Sequence, residues 1–224
     1  TARPDVPTVT NNNAGTLTPT LTGSAMKEDP STPGTFIALQ TGDTISVTVG
    51  GATYNVTIGS LPAGITYDAT THQWSVNTAT AVPTSGTLNL VSGNAYNVGV
   101  SVTSGITSTN PGITKADIGT DELVVNTTPP TITLNTISGG YINAAEKVQD
   151  LSITGTTTAQ VGAQVHITGL DGSDYTGTVV FGGTGQPNTF SVTVPSTSVT
   201  AFANANATLT AHANVTNQYG VAAT

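Results

Sequence analysis

The chain has no cysteine, so no disulfide holds it together and its stability must come from packing and hydrogen bonding. Charge is also scarce. Only 7% of residues are charged, and 4 Lys and Arg face 12 Asp and Glu. A net charge of −8 with so few cations argues against nucleic acid, whose binding depends on neutralised phosphates. The same shortage argues against an anionic membrane surface. No apolar run is long enough to cross a bilayer as a helix. Runs of Leu, Glu, Lys and Ala at helical spacing are missing, which removes the usual signal for long helices. Absent cysteine fits an exported bacterial protein built without disulfides.

Thr, Gly, Asn, Ser, Ala and Val fill the space that charge leaves. Hydrophobic residues make up 36% of the chain, and they alternate with Thr and Ser. That alternation is the pattern of half-buried strands whose outer face carries hydroxyls and amides rather than ions. The 224 residues have room for two domains, each with its own core.

The run Asn126-Thr127-Thr128-Pro129-Pro130-Thr131 divides the chain. Two prolines fix φ and remove two backbone donors, so the segment reads as a stiff extended joint between strands. Asp5-Val6-Pro7-Thr8-Val9-Thr10 is a partial copy near the start. A joint that recurs before each unit marks a tandem array, and the abrupt ends read as those of an excised piece.

In the first unit, Thr16 to Gly23 alternates as a strand with Leu17, Pro19 and Leu21 on one face. Ser24 to Gly42 reads as an enlarged loop. Ile45-Val47-Val49, a Gly50-Gly51-Ala52 turn and Tyr54-Val56-Ile58 form the clearest hairpin. Trp74, the single tryptophan, is expected at the core centre. Tyr96 to Val102 is another strand, Ser104 to Asp121 a second long loop with Pro111, and Leu123 to Val125 the closing strand. The second unit repeats this order. Leu151 and Ile153 lead to Gly155, Val165 and Ile167 match the Ile45 strand, and Asp171-Gly172-Ser173-Asp174 takes the hairpin turn. Phe190, Val192 and Val194 stand where Trp74 and Val76 stood, and Leu209 to Val215 stands for the Tyr96 strand.

The expected fold is all-β, with two tandem immunoglobulin-like β-sandwich domains arranged end to end. Residues 1–126 form the sandwich with enlarged loops. Residues 127–224 form the second, whose last strand is truncated.

Three stretches of the second unit then resemble a known family. Asn126-Thr127-Thr128-Pro129-Pro130-Thr131-Ile132-Thr133, Ile142-Asn143-Ala144-Ala145-Glu146 and Phe190-Ser191-Val192-Thr193-Val194-Pro195 look like the bacterial Ig-like repeat of giant surface adhesins and biofilm-associated proteins. The first unit shares the strand pattern but lacks Ile-Asn-Ala-Ala-Glu. The resemblance implies export by type I secretion, a place on the bacterial cell surface, and a stalk role in adhesion or biofilm formation. The implied partners are neighbouring repeats and a host-cell or biofilm ligand, with the chain itself a monomer. It also implies calcium at the domain junctions. Asn126 stands where the family has a linker Asp, and Asn217 where it has an Asp in the late turn. By that resemblance Asn143 and Glu146 are candidate calcium ligands. Asp117, Asp121 and Glu122 are the densest acids near the joint; with Asp5 they are a candidate set for a metal shared with a preceding domain.

Two histidines and a recurring triplet are lesser candidates. His166 and His212 fall on the solvent side of adjacent strands, close enough in the expected topology to meet. Asn55-Val56-Thr57, Asn206-Ala207-Thr208 and Asn214-Val215-Thr216 fit the glycosylation triplet, a pattern that a Thr-rich sequence produces by chance. No nucleophile elbow, catalytic triad or phosphate loop is signalled, so the chain is not read as an enzyme. The alternative function makes the first domain a ligand-binding module for a glycan or host protein, because its two enlarged loops share one end.

Overall fold

The computed structural model describes residues 3–105, 112–168, 170–203 and 210–223. Pro111, Leu209 and the Asn206-Ala207-Thr208 triplet lie outside them. The chain divides into two units, Thr1–Thr127 and Thr128–Thr224, and each has a hydrophobic core cluster of its own. The fold is all-β with several sheets, as expected of β-sandwich packing.

In the first unit a four-stranded sheet runs in the order Thr8–Val9, Thr20–Ser24, Gln73–Asn77, Ile65–Asp68. A five-stranded sheet runs Ser85–Gly86, Ala52–Thr57, Thr44–Val49, Gly99–Ser104, Ile113–Ala116. Their inner residues, among them Leu21, Trp74, Val47, Tyr54 and Val102, belong to one buried cluster. The Thr44–Val49 and Ala52–Thr57 strands form the expected hairpin. Gly50 and Gly51 both take positive φ in its turn, the requirement of a tight two-residue connection. Leu123–Val125 pairs antiparallel with Asn94–Tyr96 and parallel with Asn12–Ala14 in a third sheet.

In the second unit one six-stranded ladder runs Ile132–Leu134, Leu151–Thr157, Asn188–Val194, Tyr175–Val180, Gln164–Thr168, His212–Val215. Tyr175–Val180 changes partner along its length. Its start pairs with Gln164–Thr168 and its end with Asn188–Val194. This lets a single ladder wrap round one core.

The units share a specific device. Gly23 lies opposite Trp74, with Thr8–Val9 on its other side. Gly155 lies opposite Phe190, with Ile132–Leu134 on its other side. A β-carbon on Gly23 would come within 2.6 Å of the Trp74 ring, and one on Gly155 within 2.5 Å of the Phe190 ring. The aromatic ring lies over the glycine and fills the space that a missing side chain leaves.

Several expectations need correction. The early strand starts at Thr20, not Thr16: residues 15–18 bend, and Leu17 is exposed. Its burial alternation then continues through Gly23 and Ala25 to Lys27. The segment read as a loop from Ser24 to Gly42 contains a ribbon, Met26–Glu28 paired with Phe36–Ala38. Tyr96 to Val102 is two strands in two sheets, and Ile113–Ala116 is a strand within the second expected loop. One eight-residue helix, Ser196–Ala203, follows Pro195. Its first N–H is accepted by Asp150, Thr200 donates to the Lys147 carbonyl, and Val199 is fully buried.

Candidate functional site

The segment 117–122 carries the chain from the five-stranded sheet to the three-stranded one. Both ends are pinned. The Asp117 N–H donates to the Val100 carbonyl, and the Glu122 carbonyl accepts from Asn12 N–H, each at 2.7 Å. Asp121 takes positive φ in the turn before the strand, a conformation Asp tolerates better than most residues.

Leaving one sheet for another turns two successive residues inward, Glu122 and Leu123, and Glu122 is only 4% exposed. Its Oε2 accepts from the Val98 N–H at 3.0 Å. Its Oε1 has no partner, and among the described residues only Tyr54 Oη and Trp74 Nε1 share that condition. Those two are neutral. An ionised oxygen held from water without a donor is the costlier of the two situations. Gly119 faces this carboxylate. The atom nearest a β-carbon built there is Glu122 Oε1, and Asp117 Oδ2 lies 3.2 Å from the same point. Two carboxylate oxygens thus converge on a space that a side chain at position 119 would fill.

Asp5 does not join them. The stretch from Asp5 to Asn12 runs beside residues 20–27, with Pro4 bridged to Lys27, Thr8 opposite Ser24 and Asn12 bonded to Thr20. An extended segment of that length spans roughly 20 Å at ~3.3 Å per residue. Glu122 is beside Asn12, so Asp5 lies that far from the carboxylate pair. Asp5 instead accepts from the Val6 N–H through Oδ1. The expectation that these acids sit together at the start of the unit is corrected on this point. The Asp117–Glu122 crossing lies midway along the unit, level with Val98 and Val100. The Asn126 N–H donates to the Ala14 carbonyl, which ties the start of the joint to the first unit.

The first unit buries a second carboxylate under opposite conditions. Asp43 Oδ2 is 2.7 Å from Lys27 Nζ and also accepts from the Gln40 N–H, while Oδ1 accepts from Gly105 N–H. Tyr67 closes the cluster by donating to the Ala25 carbonyl and accepting from Leu39 N–H. Burial pushes the Tyr67 phenol above its ordinary pKa. This network fastens the Met26–Glu28 ribbon to the body of the unit.

In the second unit the expected calcium ligands bind each other. Asn143 Oδ1 accepts from the Ala145 and Glu146 N–H groups, and Glu146 Oε2 accepts from the Asn143 N–H. This reciprocal arrangement is a capping box at the start of the Glu146–Val148 turn. The Asn143 N–H and then the Ser138 hydroxyl hold the Glu146 carboxyl below its ordinary pKa. Asn217 Oδ1 accepts from its own turn, Tyr219 and Val221 N–H, and Nδ2 donates to the Thr128 carbonyl. His166 and His212 do not face each other, since His212 lies opposite Thr168 and His166 opposite Asn214. His166 Nδ1 lies 2.8 Å from Asp174 Oδ2 instead. Asp171 serves the hairpin turn, accepting from Tyr175 Oη and Ser173 N–H, and the phenol above all lowers its pKa. Among the described residues no group of three or more His, Asp or Glu gathers as a metal cluster.

A groove of about 400 Å³ opens in the first unit between Leu17, Tyr54, Leu88 and Leu90, with Thr18, Thr78, Thr87 and Asn89 also lining it. None of its lining residues is charged. No described residue of either enlarged loop lines it.

Fold and site together define an all-β protein with one unpartnered buried carboxyl group, that of Glu122, in its first unit. No protein-family model matches the chain, and no curated protein matches it. One solved structure similar to it is described as giving insight into host cell surface retention of a 1.5-MDa bacterial ice-binding adhesin. That likeness has a TM-score of 0.40 at 23% identity, over 99% of this chain and 60% of that one. So loose a superposition carries no functional argument.

Proposed function

We propose that the chain is a fragment of an extracellular bacterial adhesin, in which immunoglobulin-like modules in series act as a stalk. The supporting observation is repetition. Each unit has its own core, and each builds it on a glycine strand beneath an aromatic strand, Gly23 with Trp74 and Gly155 with Phe190. Pro129 and Pro130 at the start of the second unit suit a stiff connection. Each module of this kind adds length, and the output is reach rather than a reaction. In this reading the chain is exported to the cell surface and its partners are further modules and a ligand presented by a host cell or biofilm. Small-angle scattering of the full chain is expected to give an elongated profile. A compact globule would overturn the proposal.

A second reading makes the first unit a ligand-binding module, and the uncharged groove beside Tyr54 supports it. Its ligand would be neutral, as a plain glycan is. A glycan array probed with the full chain separates the readings. Glycan binding that survives Tyr54→Phe, Leu17→Ser and Leu88→Ser counts against this groove.

A further inference from the structure

We propose that the Lys27 ammonium and the Asp43 carboxylate condense to an amide, a covalent staple inside the first unit. Three observations carry it. Lys27 Nζ lies 2.7 Å from Asp43 Oδ2, and the two residues are 6% and 4% exposed. An amine in such contact with a carboxyl oxygen lies about 3.5 Å from the carboxyl carbon, at the edge of the near-attack range. Both carboxyl oxygens also accept a backbone N–H, Oδ2 from Gln40 at 2.7 Å and Oδ1 from Gly105 at 3.3 Å. Tyr67 is committed elsewhere, donating to the Ala25 carbonyl and accepting from the Leu39 N–H, so it leaves the carboxyl to the lysine.

The step balances with water as the sole by-product. Nζ passes one proton to Oδ2, and its freed lone pair attacks Cγ. Charge then gathers on Oδ1, which the Gly105 N–H stabilises by donating to it. The nitrogen gives a second proton to Oδ2, the Cγ–Oδ2 bond breaks, and that oxygen departs as water. Two effects favour the product. A buried ion pair holds two charges out of water at a desolvation cost, and a neutral amide removes both charges. The partners are also held in place. Lys27 is bridged to Pro4 and lies opposite Ile37, and Asp43 immediately precedes the Thr44–Val49 strand. Groups so fixed react as parts of one molecule, without the entropy cost of an encounter. The staple ties the Met26–Glu28 ribbon to the body of a unit that has no cysteine for the purpose. It rests on neither the stalk reading nor the glycan reading.

The full chain is unfolded and weighed by mass spectrometry. It is expected to be lighter than its sequence by one water. Lys27→Arg, which keeps the charge but presents a guanidinium, is expected to have its full mass. A succinimide at Asp171-Gly172 would also lose water, but mild alkali reopens it and leaves an amide intact. A second measurement needs no variant. The Asp29–Pro30 bond, the one Asp-Pro in the chain, lies inside the ring that the staple closes. Mild acid cuts Asp-Pro bonds selectively, and the cut chain is expected to stay one molecule under denaturing conditions. The proposal is overturned if the wild type has its full mass, or if Lys27→Arg also lacks one water after alkali. It is overturned equally if the acid-cut wild type separates into residues 1–29 and 30–224.

Discussion

Hydrogen-bond donors decide the state of each carboxylate in this charge-poor chain. Asp43 is buried with an ammonium and two backbone N–H groups around it, whereas Glu122 has a single N–H. Glu146 is only half-buried, yet it is held by the Asn143 N–H and the Ser138 hydroxyl, which lower its pKa. The sign of its effect follows. A carboxyl whose folded pKa is depressed stabilises the fold at pH above its unfolded value, and the gain disappears as pH falls through the folded pKa. The capping box should therefore loosen in acid, below the ordinary glutamate value of 4.5. Amide exchange at Asn143 is expected to accelerate in that window, and Glu146→Gln to flatten the pH dependence. A pH-independent exchange rate, after correction for intrinsic chemistry, would contradict the assignment. Asn143 and Glu146 were read from the family resemblance as a metal pair, and the capping pattern that their spacing also fits went unread. The meeting of Lys27 and Asp43 was not legible. Lys27 lay in a stretch read as loop and Asp43 just past its end, and only the run Leu21, Gly23, Ala25, Lys27 hinted that a lysine faced inward.

At the scale of elements, the central strand pair of each unit is the most tightly specified feature. Gly155 lies between the Thr133 carbonyl, which cannot move without disturbing the ladder, and the Phe190 ring, which is packed in the core. Gly155→Ala is expected to destabilise the second unit by about 3 kcal/mol through overpacking. Urea unfolding followed by circular dichroism measures it, and a loss below about 0.5 kcal/mol, the usual range for a surface change, would show that the contact can relax. Strands with clean alternation, such as Thr44–Val49 and Leu151–Thr157, were readable because one face is buried and the other is not. Elements whose cause is tertiary were missed. The Ser196–Ala203 helix is rich in Ser and Thr, poor helix formers, and is held by Asp150, Lys147 and burial of Val199. The Met26–Glu28 ribbon depends on the distant Asp43. The break between Asn94–Tyr96 and Gly99–Ser104 reflects a change of sheet that periodicity does not register.

At the scale of the molecule, the match of Gly23 and Trp74 to Gly155 and Phe190 was visible in sequence, while the position of Glu122 along the first unit was not. It depends on a final strand that is split into Ile113–Ala116 and Leu123–Val125 in different sheets. For the stalk proposal the quantity to measure is the radius of gyration. A single globule of this length would give about 17 Å, so modules in line must exceed that clearly. A value at 17 Å would remove the proposal. The parallel pairing of Asn12–Ala14 with Leu123–Val125 has a further consequence. These strands lie near the two ends of the first unit. Tension applied through those ends would pull them past each other lengthwise, so the bonds joining them would share the load and rupture together. Strands joined as a hairpin and pulled at its open end would instead unzip, each bond failing in turn.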